Sequence, residues 1–395
     1  MKRMTRAAVQ VAGLVFVSMA LAACGAILGL EDPVLDDAGA SDGPRSETSS
    51  DAGDAGADGK APVDCGVPLG TADNCAACGH SCVGGSCTDG GCAVVPVTSG
   101  LTNPLALALD DASVYIATYD SILRADKLTN DVAPLFSGTA GGGVRDVVTD
   151  ETRVYWAAKS SSVQSCPTAD CDGGGVTLGP AGTFPLAVAV QADLVVWSAS
   201  ATAIVSAANK SDGSNPHPLS SESMRAAALV ATSSDVYVAD TMSPRILRVP
   251  LDGSTLKTLA TTSGLPSGIA LAGDALYFGV QGGALGVVPR NGGGAVLFGA
   301  PTKSAAGLAT DGTFLYWADH GTLDGTGARR ADGCIYRCPL ATCTTAPPTV
   351  VVCGQVGPRA VAVDERAVYW TSLGPGKPSD FATSGTVSKI GKPPP

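Results

Sequence analysis

The chain has 395 residues, 50 of them glycine, with 5% aromatic residues and a formal net charge of −11. An acidic chain without a basic stripe excludes a nucleic-acid binder, and no apolar run beyond the N-terminus reaches membrane-crossing length. Its 13 cysteines point to an exported protein, where disulfides persist.

Lys2, Arg3 and Arg6 precede AAVQVAGLVFVSMALAA, an apolar run too short to span a bilayer comfortably and shaped like the core of a secretory signal. It ends in Leu21-Ala22-Ala23-Cys24, which resembles the lipobox of bacterial lipoproteins. The resemblance implies a signal peptide over residues 1–23, lipidation at Cys24, and a protein anchored to a membrane without crossing it. Several acyl chains hold far more firmly than one. Gly25, standing where the family's sorting rule reads an aspartate for inner-membrane retention, implies an outer-membrane location facing the periplasm or the cell surface. With Cys24 assigned to lipid, the remaining cysteines are even in number and can all pair.

Residues 24–64 are small, polar and acidic and have almost nothing to bury, so a disordered tether is expected. Residues 65–92 carry Cys65, Cys75, Cys78, Cys82, Cys87 and Cys92 among glycine, serine and asparagine. A segment this short lacks a core, and three disulfides among these six are expected to substitute for one, in any of fifteen pairings. Cys75-x2-Cys78 near His80 and Cys82 also has zinc-like spacing, but oxidation is the preferred reading; no metal or cofactor is expected.

Residues 93–393 repeat. SVYIAT, RVYWAA, LVVWSA, DVYVAD, ALYFGV, FLYWAD and AVYWTS centre on Tyr115, Tyr155, Val196, Tyr237, Tyr277, Tyr316 and Tyr369. They recur at about 40 residues, with a longer last step. Each follows a small-apolar run such as LALALD and precedes a segment such as ILRVPLDG and a glycine turn. Four short strands per unit predict an all-β fold, a β-propeller of seven four-stranded blades, with six or eight as the alternatives. Tyr316-Trp317-Ala318-Asp319 and Tyr369-Trp370-Thr371 make the repeat resemble YWTD-type propellers and the related NHL and gluconolactonase-like propellers. The seventh repeat has no outer strand of its own, and AVVPVTSGL at 93–101 is expected to supply it and remove an open edge.

The repeat also sorts the chemistry. Asp110, Asp150, Asp311 and Asp364 precede their central residues by the same interval and read as turn caps. Tyr316 and Trp317 read as interblade packing, and Asp319 with His320 as solvated loop residues. Cys166–Cys171 and Cys338–Cys343 occupy matching places after a third strand and should pair, leaving Cys334–Cys353. No nucleophile, phosphate-loop or paired-histidine motif appears, so no catalytic residue is assigned. Long loops after the second strands of repeats six and seven carry His320, Arg329 and Arg330, and Arg145, Arg225 and Arg359 stand where first strands begin. These six are the candidate binding residues. The expectation is a monomeric, non-catalytic envelope lipoprotein that binds a protein or glycan. The alternatives are a lyase or lactonase with a site at the channel mouth, and a purely structural protein.

Overall fold

The computed structural model describes residues 69–77, 80–137, 143–158, 162–171, 175–299, 304–377 and 383–394. The signal segment, Cys24, the acidic tether, Cys65 and Cys78 lie outside them. Among the described residues there is no helix; the chain forms seven four-stranded antiparallel sheets and a short hairpin.

The seven inner strands are Ala106–Leu109, Val144–Thr149, Pro185–Gln191, Ala226–Ala231, Pro266–Ala272, Ala305–Thr310 and Pro358–Val363, numbered here as blades one to seven. Each touches the inner strands on either side, and that of blade seven touches that of blade one, so the sheets form a closed ring. Blade seven takes its fourth strand from the N-terminal side. Val95–Leu101 pairs antiparallel with Gly385–Gly391, with Pro96 opposite Ser388. Proline is tolerated there because an outermost strand leaves one side of its backbone unpaired.

The second strands carry the core. Neighbouring residues on a strand point to opposite faces, so each repeat sends one large side chain into each flanking interface. Tyr115 packs in one cluster with Trp156, Tyr155 with Trp197, and Val196 with Val238. The same step joins Tyr237 to Phe278, Tyr277 to Trp317, Tyr316 to Trp370, and finally Tyr369 to Ile116 of blade one. Buried on both faces, these strands read as continuous apolar runs, not as alternating ones.

The aspartates cap their turns. Asp110 Oδ1 accepts from the amides of Ala112 and Ser113 (2.9 and 2.6 Å), while Oδ2 accepts from the Tyr115 hydroxyl (2.6 Å). Asp150 and Asp311 repeat the pattern with Tyr155 and Tyr316. Asp150, Asp311 and Asp364 have a second task that the repeat did not reveal. Lys210 reaches back to Asp150 at 2.8 Å, Lys392 to Asp311 at 2.6 Å and Lys127 to Asp364 at 2.8 Å. Each lysine follows a third strand and ties its blade to the preceding one.

Cys75–Cys87 and Cys82–Cys92 are bonded within the module, which packs on blade seven through Val83 and Cys92. Cys166–Cys171, Cys334–Cys353 and Cys338–Cys343 staple the propeller.

Candidate functional site at the channel mouth

One face of the ring carries the loops between second and third strands together with the starts of the inner strands. There the ladders share an irregularity. In blade two the pairing skips from Val144 to Asp146, in blade three from Pro185 to Ala187, and in blade seven from Pro358 to Val361. A bulge of this kind re-aims the side chain of its extra residue. Arg145 and Arg359 are the bulged residues of blades two and seven, at one register position. Glycine permits the close approach beside Arg359: a Cβ on Gly307 would lie 2.2 Å from the Arg359 carbonyl oxygen.

Two long loops meet beside these arginines. The Arg329 amide and guanidinium both donate to the Gly376 carbonyl at 3.2 Å, and the guanidinium also reaches Lys377 O at 3.5 Å. The Arg329 side chain lies over Gly357, where an added Cβ would meet its Cδ at 2.4 Å. Thus Arg329 buckles the blade-six loop to the blade-seven loop and brings its charge next to Arg359.

The electrostatics follow from this convergence. Burial in the recess, then the charges of Arg145 and Arg329, push the Arg359 guanidinium down to about 10. Burial lowers Arg145 as well, opposed by the charge of the Tyr119 hydroxyl. His320 is pushed down to about 3 by burial first and then by Arg359 and Arg329, so it is neutral. Among the described residues neither Arg145 nor Arg359 pairs with a carboxylate, and Arg145 Nε is buried with no hydrogen-bond partner. The nearest acid in sequence, Asp146, is engaged elsewhere: it accepts from the amides of Val147 and Val188 at 2.9 and 3.0 Å, and burial pushes it up to about 6. A cationic cluster in which Arg145 and Arg359 have no carboxylate partner among the described residues is suited to an anionic ligand.

Three sequence expectations change. Arg225 does not join the cluster. Its carbonyl accepts from Thr241 N, as the carbonyl of Phe184 accepts from Ser200 N and that of Gly357 from Leu373 N. It therefore stands one residue ahead of the bulge, on blade four. Arg330 is exposed, and its charge is felt by Asp324 and Asp332 of its own loop. Asp319 and His320 are not solvated loop residues. Asp319 is 5% exposed and, at the register position of Asp240, accepts from the amides of Ser304 and Gly321 at 3.3 Å. Its Oδ1 thus holds two backbone amides of its own blade. Sequence reading missed Tyr119; its place between second and third strands, on the mouth face, was the available signal.

The sulfurs of Cys75, Cys82 and Cys92 lie within 4.8 Å of one another, yet all three are held in disulfides and offer no thiolate to a metal. On the opposite face a cavity of about 400 Å³ is lined by Asp311, Phe314, Arg337 and Lys392 among others. Two of its cations are engaged, Lys392 on Asp311 and Arg337 on the carbonyls of Pro393 and Pro394.

No protein-family model matches the chain, and no curated protein matches it. Solved structures do. The selenomethionine form of virginiamycin B lyase from Staphylococcus aureus aligns with a TM-score of 0.60 at 13% identity, covering 76% of this chain and 99% of that one. A streptogramin B lyase gives 0.59 at 12%, covering 76% and 97%. A chain of a nidogen/laminin complex gives 0.45 at 17%, covering 58% and 90%. Likeness at these identities shows fold alone. The chain is a seven-bladed β-propeller protein preceded by disulfide-bonded cysteines.

Proposed function

We propose that this protein is a non-catalytic binding protein of the cell envelope. In this reading Cys24 anchors it by lipid to the outer membrane, the acidic tether holds it clear of the headgroups, and the channel mouth takes an anionic partner, protein or glycan. The observation that carries the binding role is the placement of Arg145 and Arg359 in equivalent bulges, converging with Arg329, with no carboxylate opposite the first two. Like charges gathered at one site cost stability, and a ligand that neutralises them offsets that cost. The test is binding of polygalacturonate and of an acidic peptide to the wild type and to the Arg145→Ala/Arg359→Ala variant. Loss of both in the variant is expected; equal binding by the two proteins overturns the reading. Membrane fractionation of a Cys24→Ser variant tests the anchor, with release to the soluble fraction expected.

A second reading is favoured by His320. A neutral imidazole beside two guanidiniums is in its proton-accepting form, and the similar propellers include a catalytically inactive histidine-to-alanine variant of virginiamycin B lyase with quinupristin. Incubation with quinupristin, comparing wild type with His320→Ala, decides it: cleavage without uptake of water, by the wild type alone, makes the protein a lyase.

A further inference from the structure

The inner strands of blades two, three and seven each begin from a residue of positive φ. Gly143 holds this place in blade two (φ 75°) and Gly357 in blade seven (φ 62°), but blade three has Phe184 (φ 50°). Left-handed backbone is ordinary for glycine and strained for a bulky aromatic. The ring gains nothing from the core in return. Phe184 is 41% exposed and belongs to none of the interblade clusters. Its carbonyl is fixed by the Ser200 amide and hydroxyl, at 3.1 and 2.8 Å, so the backbone is set while the ring is left in solvent. Strain retained at an exposed position is a mark of function.

The surroundings extend the pattern. On the next blade Met242 is 43% exposed, and it follows Thr241, whose amide and hydroxyl bond the Arg225 carbonyl at 2.8 and 3.0 Å. Arg225 Nε is buried without a partner. On the other side, Asp146 joins Arg145 to Phe184's own strand through its 3.0 Å bond from Val188 N. Phe184 therefore stands on the blade between Arg145 and Arg225, with Met242 on the blade of Arg225, outside the Arg145–Arg359 cluster but on the same face.

Resting on the reading of the mouth as an anion-binding face, we propose that the partner is a protein segment in which apolar side chains adjoin acidic ones, with Phe184 as the apolar anchor. Acids of the partner answer the arginines. An aromatic ring by itself also stacks on the C–H face of a sugar, but Met242 gives a sugar no such platform, whereas apolar side chains of a protein cover both and exclude water, as at the core of protein interfaces.

The experiment uses the full chain and two labelled synthetic peptides of equal negative charge, one of aspartate and serine, the other with leucine and phenylalanine in place of serine. Polygalacturonate is the third probe. Wild type should bind the apolar–acidic peptide about fivefold to tenfold more tightly than the polar one, the margin expected from covering part of a phenylalanine. Phe184→Gly should cancel that margin, leave binding of the polar peptide unchanged, and keep or raise Tm, since glycine relieves the backbone strain. Arg145→Ala/Arg359→Ala should weaken both peptides. Equal affinity for the two peptides, a margin that survives Phe184→Gly, a lowered Tm in that variant, or a Phe184 dependence confined to polygalacturonate overturns the inference alone. Failure of every anionic probe to bind, or binding that persists without the two arginines, overturns the underlying reading and the inference with it.

Discussion

Arg145 and Arg359 sit at the same register position of two blades, each the extra residue of a bulge at the start of an inner strand. Between them lies blade one, so the ring geometry, not sequence proximity, brings their charges together. Arg359 is lowered to about 10 by burial and by Arg145 and Arg329, which means the folded protein holds these cations against mutual repulsion. Arg145→Ala/Arg359→Ala should therefore keep or raise Tm. A polyanion in excess should raise the Tm of the wild type by ligand linkage and leave that of the variant unmoved. Differential scanning fluorimetry with and without polygalacturonate checks both outcomes. A fall in Tm for the variant without ligand would show the arginines to be scaffold.

His320 sets an acid limb on stability. Its folded value near 3 lies below the ordinary histidine value, so between about pH 6.5 and about pH 3 the unfolded chain binds a proton that the folded chain does not. Stability contributed by the neutral imidazole is complete at neutral pH and declines as pH falls through that window. His320→Gln cannot take up the proton. Urea unfolding of the wild type at about pH 5 should show a loss, relative to about pH 7, that is on the order of 1 kcal/mol larger than the variant's. Parallel pH dependence in the two proteins would place His320 in open solvent.

The repeat was legible in the sequence because its signals are local. A run of large apolar residues on a strand buried on both faces marks each unit without reference to any other, reinforced by Tyr-Trp in three repeats and by an aspartate at a fixed distance before the central residue in four. The site was legible only in part. Arg145, Arg225 and Arg359 all stand where a first strand begins, and sequence alone treats them alike. A bulge is one residue of extra chain, and the difference between Arg225 and the other two is one residue of register, below what periodicity resolves. Asp319 was misread for a related reason. Its use as a backbone acceptor depends on the Ser304 amide, which arrives from the preceding strand of its own blade. The lysine–aspartate ties escaped because each joins residues of successive blades, as Lys210 and Asp150 do.

Lys210 and Asp150 provide a direct measure of blade-to-blade coupling. Burial opposes ionisation of Asp150, but the Lys210 ammonium, Thr152 and the Tyr155 hydroxyl outweigh it and hold the carboxyl well below the usual carboxylate range. A depressed carboxylate contributes stability that is present above its unfolded value and lost as pH falls towards its folded one. Both side chains are partly exposed, at 26% and 15%, so the pair is screened and worth about 1 kcal/mol. Lys210→Met should lower stability by that amount at about pH 7. The gap from wild type should narrow steadily below about pH 4 as Asp150 takes up its proton. Denaturant titrations across this range check it; a gap independent of pH would assign the loss to packing of the lysine stem.

Closure of the ring makes the strongest demand on the chain, because Val95–Leu101 and Gly385–Gly391 are its two ends and pair in one sheet. Every other blade is built from one continuous stretch. Blade seven is complete only when the N-terminal strand returns after all the others are in place, so its pairing is the longest loop closure in the fold. Removing residues up to Leu101 should leave six complete blades and a three-stranded seventh. It would also strip Val97 and Leu101 from the cluster that holds Tyr369 and Ile116. Two effects are then expected. The seven–one interface loses apolar burial, lowering Tm by several degrees, and the bared backbone of Gly385–Gly391 becomes an open edge able to pair with another chain. Size-exclusion chromatography of the truncated protein should show self-association that grows with concentration, while the full chain runs as one species. A monomeric truncated protein with unchanged Tm would mean that the six continuous blades and the interblade aromatics hold the ring without its clasp.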